Sequence, residues 1–182
     1  MRFDEQKVTE AAALLLQLRG GCMHYIKLIK LLYIADRQAF SEWGIPISND
    51  NYVSMDHGPV LSQTYNLIKD GGRFWSSYIS APFGDYEIQL NTTLQNKRKL
   101  SPAEEDMLSK VFDEFGRENR WKIVDFVHTL PEWKDPGGGS IPISISEILH
   151  ALNESEENIR AIIAEIDQER KIEERIEIAE RV

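Results

Sequence analysis

The sequence predicts a mainly α-helical domain of the α+β class, a compact helical body with a small β-hairpin and a long C-terminal helix. Apolar residues recur at spacings of three and four in several segments, as they do on one face of a helix. Gly-Gly pairs and prolines separate those segments. Only residues 86–90 alternate clearly between apolar and polar side chains, which predicts a strand.

The first two helices are predicted over residues 5–18 and 23–40. The first has a single apolar stripe. In the second, apolar side chains cover a face too broad for a surface helix, which predicts that it is the central helix of the domain. Lys27, Lys30 and Arg37 fall on the strip that remains, where we expect solvated charge beside a buried face.

The stretch His57-Gly58-Pro59 predicts a turn that introduces a third helix. Residues 52–55 before it are predicted to be extended. Pro59 suits the first position of a helix, since its missing N–H needs no partner there, and this helix is predicted to end near Asp70. Gly58 allows a backbone angle that other residues resist, and we expect the His57 ring to hydrogen-bond a nearby backbone or carboxylate group.

Residues 74–80 and 86–90 are predicted to be the two strands of the hairpin. Beyond them, Ser101 and Ser144 each precede a glutamate by three positions, which is the capping box that begins a helix. A helix is therefore predicted after each serine, and a shorter one between them over residues 121–130.

The composition changes at Asn153, which divides the chain into a domain over residues 1–152 and an appended helix over residues 153–182. The second part contains no aromatic residue, Gly or Pro and is rich in Glu and Arg. Asn153 with Glu156 predicts its cap. Four isoleucines form a narrow stripe that we expect to lie in a groove of a partner protein. These are Ile159, Ile162, Ile163 and Ile166.

The charge and cysteine content narrow the classes of function. The 182 residues carry a formal net charge of −9 at pH 7, which argues against a non-specific nucleic-acid binder and against docking on anionic membranes. The single cysteine rules out an intramolecular disulfide and a cysteine-based zinc cage. Without a signal-peptide pattern or an apolar run of membrane-spanning length, a cytoplasmic protein is expected.

A small hydrolase is an alternative, because Asp36, His57 and His128 could meet in the fold as a metal or acid–base site. However, the four histidines show no HExxH pattern or other ligand spacing. Isolated His and Asp residues are more often hydrogen-bonded structural groups. We therefore expect no enzymatic activity, no metal and no cofactor.

The order of the segments resembles the Panacea domain of the SocA-like antitoxin family. The resemblance covers roughly residues 23–136 and rests on IKLIKLLYIADRQAF, WGIPISNDNYVSMDHGPVLSQTYNLI and VDFVHTLPEWKDP. Its most specific part is the His-Gly-Pro turn followed by a helix that contains a tyrosine. The matching positions are Lys30, Tyr33, Asp36, His57, Gly58, Pro59, Tyr65, His128 and Trp133.

The resemblance implies a mostly helical antitoxin that neutralises a cognate toxin of a bacterial or phage toxin–antitoxin pair by direct protein contact. One member of the family resembles a proteolytic adaptor, so delivery of a toxin to a protease is the alternative mechanism. A protease or a second copy of this chain is a further candidate partner. No nucleic acid, membrane or cofactor is expected to bind.

Overall fold

The computed structural model describes residues 2–82, 84, 86–92 and 99–180, and within these ranges it contains eight helices and five strands. The helices are α1 (Glu5–Arg19), α2 (Tyr25–Trp43), α3 (Ser62–Asp70), α4 (Trp75–Tyr78), α5 (Pro102–Phe115), α6 (Arg120–His128), α7 (Ile145–Ala151) and α8 (Glu156–Glu180). The strands are β1 (Cys22–His24), β2 (Tyr52–Met55), β3 (Gly58–Leu61), β4 (Glu87–Gln89) and β5 (Ile141–Ile143). The predicted mainly α class of the α+β type is confirmed, and the strands form small antiparallel sheets.

The second helix is central, as predicted. Helix α2 contacts α1, α5, α6 and β3, and its Leu28, Leu31 and Tyr33 are completely buried. The helix ends at Gly44, which adopts the left-handed conformation with φ +72°. Across the described ranges, none of the helices combines the length and apolar character needed to cross a bilayer.

Two small antiparallel sheets join the loops to this helical core. Strand β1 pairs with β4, with Met23 opposite Ile88. The second sheet has the order β3-β2-β5. Strands β2 and β3 form a hairpin, and β5 adds to the other side of β2 with Tyr52 opposite Ile143. From here on, the hairpin is this β2–β3 unit and not the hairpin predicted over residues 74–80 and 86–90.

The strand predicted over residues 74–80 is wrong, because α4 occupies its middle. The Glu5 carboxylate accepts hydrogen bonds from the backbone N–H groups of Phe74 and Trp75 at 2.7 and 2.9 Å, and so caps α4 from a neighbouring helix. The strand predicted over residues 86–90 is confirmed as β4. It pairs with β1, a segment that the sequence placed at the start of α2.

The helix predicted to begin at Pro59 begins three residues later. Pro59 lies in β3 opposite Ser54. Because β3 is an outer strand of its sheet, a residue without an N–H group is tolerated there. The first turn of α3 is capped from a distance, since the Asp50 carboxylate accepts hydrogen bonds from the N–H groups of Gln63 and Thr64, both at 2.8 Å.

The long C-terminal helix is present as α8, although Asn153 does not cap it. Asn153 has φ +62°, and the hydroxyl of Ser155 accepts the hydrogen bond from the N–H group of Asn158 at 3.2 Å. Ile159 and Ile166 are 3% and 4% exposed and belong to the core of the domain. The first half of α8 therefore packs on the helical body, and the division of the chain at residue 153 stays a prediction.

Candidate functional site

We call the nine matching positions named in the sequence analysis the motif. Two of its side chains, Lys30 and Trp133, hold the hairpin against the helices. Lys30 of α2 donates a hydrogen bond from Nζ to the backbone oxygen of Pro59 at 2.8 Å. Trp133, which follows α6, donates from Nε1 to the backbone oxygen of Met55 at 3.1 Å. Both bonds end on carbonyl groups of the hairpin, so together they fix its position relative to α2 and α6.

Gly58 is where the hairpin comes closest to α6. Its φ is +96°, and a Cβ built there would lie 2.5 Å from Val127 Cγ2 and 3.4 Å from both His128 Cδ2 and Lys30 Cε. The special backbone angle predicted for Gly58 is confirmed. The close approach to Val127 is a second reason for glycine, which no local sequence pattern indicates.

The two motif histidines pack on tryptophan rings. His128 stacks on Trp133, with ring centroids 4.0 Å apart and 17° between the planes. His57 is exposed at the tip of the hairpin and meets the ring of Trp121 edge-on, with centroids 5.7 Å apart. The contact that the structure describes for the His57 ring is the one with Trp121, and the hydrogen bond expected for it stays a prediction.

The two lysines of α2 are buried and Arg37 is partly buried, so the expectation that these side chains are solvated is wrong. Lys27 and Lys30 are 5% and 1% exposed. Lys27 Nζ donates to the backbone oxygen of Glu118 at 2.8 Å, while Arg37 pairs with Glu132 at 2.7 Å. Burial lowers the pKa of Lys30 to about 7. The polar strip of α2 therefore serves as internal anchoring points for the loops packed around it.

Asp36 ties α2 to the loop that precedes the hairpin. Its Oδ1 accepts hydrogen bonds from the N–H groups of Ile47 and Ser48, both at 2.9 Å. Its Oδ2 accepts from the Ser48 hydroxyl and, at 2.9 Å, from the Tyr52 hydroxyl. Burial raises the pKa of Asp36 to about 6, although these hydrogen bonds act in the opposite direction. Both carboxylate oxygens are thus used by the fold itself.

Tyr33 and Arg37 converge on Glu132, a buried residue that the sequence analysis missed. Tyr33 Oη donates to Glu132 Oε1 at 2.8 Å, and Arg37 Nε donates to the same atom at 2.7 Å. Burial, and after it the charge of Glu132, raises the pKa of Tyr33 well above its ordinary value, so the hydroxyl remains a donor. The available signal was the spacing of four between Tyr33 and Arg37, which directs both toward one acceptor.

The structure does not assemble the hydrolase site considered from the sequence. Asp36 is enclosed by its own four donors, whereas His57 and His128 lie at the hairpin beside tryptophans. Over the residues that the structure describes, no three His, Cys, Asp or Glu side chains are grouped so that they could hold a metal ion. The arrangement thus points to structural roles for these three residues.

A small cavity opens beside the hairpin, between α2 and α3, and aromatic side chains surround it. Its volume is about 120 Å³, and Tyr25, His57 and Tyr65 line it. The Tyr25 ring lies 6.3 Å from that of Tyr65 and 6.0 Å from that of Tyr86. His57 links the cavity to Trp121. We call these five residues the aromatic face: Tyr25, His57, Tyr65, Tyr86 and Trp121.

Sequence reasoning singled out two members of the aromatic face, Tyr65 and His57. Tyr25, Tyr86 and Trp121 were missed as members, because they come from separate segments that only the tertiary fold brings together. Tyr86 has a positive φ of +64°, and its backbone oxygen accepts a hydrogen bond from the N–H group of Tyr25 at 3.0 Å. This contact between the start of β4 and the start of α2 places the two rings side by side.

The isoleucine stripe predicted to bind a partner lies against its own domain. Ile159 and Ile166 are buried, and Ile162 and Ile163 pack partly buried on the same core. Ile162 covers Gly44, where a built Cβ would lie 3.2 Å from Ile162 Cγ1. Partner binding by these four residues stays a prediction, and it requires that α8 leave this position.

Comparison with known proteins identifies a family for this chain. No curated protein and no solved structure matches it significantly. A family model described as the SocA-like antitoxin Panacea domain matches residues 28–134, more than half of the chain. The matched range contains the α2 motif, the hairpin, α6 and Trp133. The chain therefore belongs to the SocA-like antitoxin family and carries its Panacea domain.

Proposed function

We propose that this protein is the antitoxin of a bacterial or phage toxin–antitoxin pair, and that it neutralises its toxin by direct contact through the aromatic face. Family membership supports the antitoxin role. The protein acts in the cytoplasm as a binding protein and catalyses no reaction. Its net charge of −9 favours a basic surface on the toxin, because opposite charges speed the encounter of two proteins.

We assign the toxin contact to the aromatic face because large side chains of that face are exposed to solvent. Tyr86 is 63% exposed and Trp121 is 47% exposed, although both side chains are large and apolar. The Arg120 guanidinium lies over the Trp121 ring at 5.3 Å. Tyr, Trp and Arg are the residue types that contribute most to protein–protein affinity when a partner covers them.

Co-expression tests the function. The product of the neighbouring gene is expressed in a bacterial host, and the growth arrest it causes is expected to be relieved by this chain. The half-life of the toxin is measured in the same cells. An unchanged half-life with rescue supports blocking, whereas a shortened half-life indicates delivery to a protease. If no neighbouring product is toxic, or if the chain never relieves the arrest, the proposed function is refuted.

Substitution of Trp121 tests the location. We expect Trp121→Ala to abolish rescue and to leave the thermal midpoint nearly unchanged, because the side chain is half exposed. Phe126→Ala is the matched control, since Phe126 is 38% exposed on the same helix and lies five residues further along, about 140° around it. Equal loss of rescue in both variants would contradict the assignment.

A further inference from the structure

The cavity within the aromatic face has a charged group in its wall. Ile29 and Val60 contribute apolar side chains to it, Tyr25 and Tyr65 contribute rings, and Lys30 lines it as well. At about 120 Å³, the cavity is smaller than the 300–1,000 Å³ of typical small-molecule sites. Its size therefore fits a single amino-acid side chain better than a cofactor.

Over the residues that the structure describes, Lys30 forms no ion pair with an Asp or Glu, and its single hydrogen bond runs from Nζ to the Pro59 carbonyl at 2.8 Å. An ammonium group has three donor hydrogens, so the Pro59 bond leaves capacity for another acceptor. Burial without a partner charge lowers the pKa of Lys30 to about 7.

Besides Lys30, ionisable side chains of Asp56, His57 and Tyr25 line the cavity. Asp56 forms no ion pair with Lys30 among the described contacts, and its Oδ1 accepts a hydrogen bond from the N–H group of Gly138 at 2.9 Å. The pKa of the neighbouring His128 is lowered mainly by burial and secondly by the charge of Lys30. Burial raises the pKa of Tyr25, so its hydroxyl stays uncharged. Lys30 therefore keeps donor capacity for an acceptor that enters the cavity, in a wall that also contains the Asp56 carboxylate.

We propose that this cavity is the receptor for one acidic side chain of the toxin, an aspartate or glutamate whose carboxylate accepts a hydrogen bond from Lys30 Nζ. The methylene groups of that side chain would pack between Ile29 and Val60, and the tyrosine rings would close over it. The inference deepens the proposed function and depends on it for the identity of the partner. It assigns to Lys30 a binding role beside its structural bond to Pro59.

A titration of the free protein tests the site without any toxin. The probe is glutamate blocked as N-acetyl-L-glutamic acid α-amide, with the equally blocked glutamine as control, each up to about 100 mM because a lone side chain binds in the millimolar range. The nuclear magnetic resonances of the Lys30 Cε and Nζ report the result. We expect blocked glutamate to raise the pKa of Lys30 and blocked glutamine to leave it unchanged. Equal effects of both probes, or no effect of either, would overturn the inference.

A matched pair of variants tests the site in the complex. Lys30→Met retains the apolar volume and removes the charge, and we expect it to weaken toxin binding about 30-fold or more, as loss of one partner of a buried ion pair does. Lys27→Met is the control, because Lys27 is also buried in α2 and also bonds one backbone carbonyl, but does not line the cavity. Thermal midpoints identify any variant that fails to fold.

The outcomes separate this inference from the proposed function. If wild-type protein neutralises the toxin and Lys30→Met does so equally well, the acidic anchor is refuted while the antitoxin role stands. If Lys30→Met binds more tightly, the cavity receives an apolar side chain instead. If the wild type binds no toxin but blocked glutamate raises the pKa of Lys30, the carboxylate site stands and the antitoxin role fails.

Discussion

Replacing Gly58 by alanine tests the central geometric feature of the hairpin. A non-glycine residue at φ +96° costs about 1–3 kcal/mol in backbone strain. The added Cβ would lie 2.5 Å from Cγ2 of Val127, which is completely buried and cannot move into solvent. Overpacking of this kind costs about 1–3 kcal/mol more. We therefore expect Gly58→Ala to lower the free energy of unfolding by about 2–6 kcal/mol, and Gly58→Val to unfold the domain.

Gly20→Ala is the matched control for this experiment. Gly20 has the same φ of +96°, but no atom lies within 4 Å of its built Cβ, so it reports the backbone strain alone. Urea denaturation of both variants separates the two costs, and the double variant Gly58→Ala with Val127→Ala should be less unstable than the sum of its single variants. If Gly58→Ala costs no more than Gly20→Ala, the close contact with α6 is not what requires glycine.

Two further predictions concern buried side chains. The free energy of unfolding should rise with pH between about 7 and 10, by up to ~1.4 kcal/mol per pH unit, because Lys30 has released its proton in the folded chain while the unfolded chain, with its ordinary pKa of 10.5, still binds it. Urea titrations at several pH values should show this contribution in the wild type and not in Lys30→Met. Ile166→Ala should destabilise by about 2–5 kcal/mol in the same assay, whereas Ile172→Ala, at a residue 48% exposed, should change stability by no more than about 0.5 kcal/mol. Equal effects of the two isoleucine substitutions would show that α8 does not pack on the domain in solution.

The sequence predicts those elements that local interactions determine. The capping boxes at Ser101 and Ser144 are both present, because serine and a glutamate three positions later satisfy each other's backbone groups without help from elsewhere. The central position of α2 is equally predictable, since an apolar face of that breadth requires neighbours on most sides.

The mistaken elements depend on partners that are distant in the sequence. Glu5 caps α4 from about seventy residues away, and Asp50 caps α3 across the hairpin. Pro59 fits a helix start and an outer strand equally well, and only the pairing with Ser54 decides between them. A prediction from neighbouring residues cannot locate these helix starts and strands, because the tertiary fold supplies the capping carboxylate or the paired strand.

If the aromatic face binds the toxin, substitutions of side chains that contact only the fold and of side chains exposed on that face should have different effects. Asp36, Gly58 and Trp133 make their contacts inside the fold, so substitutions there should lower stability and toxin binding together. Trp121 makes half of its surface available to solvent, so its substitution should lower binding alone. Lys30 combines both properties, because one side chain anchors the hairpin and lines the cavity. Its substitution should therefore weaken toxin binding by more than the accompanying loss of stability explains. In a plot of affinity against unfolding free energy, the Asp36, Gly58 and Trp133 variants should fall on one line. The Lys30 variant should lie below that line.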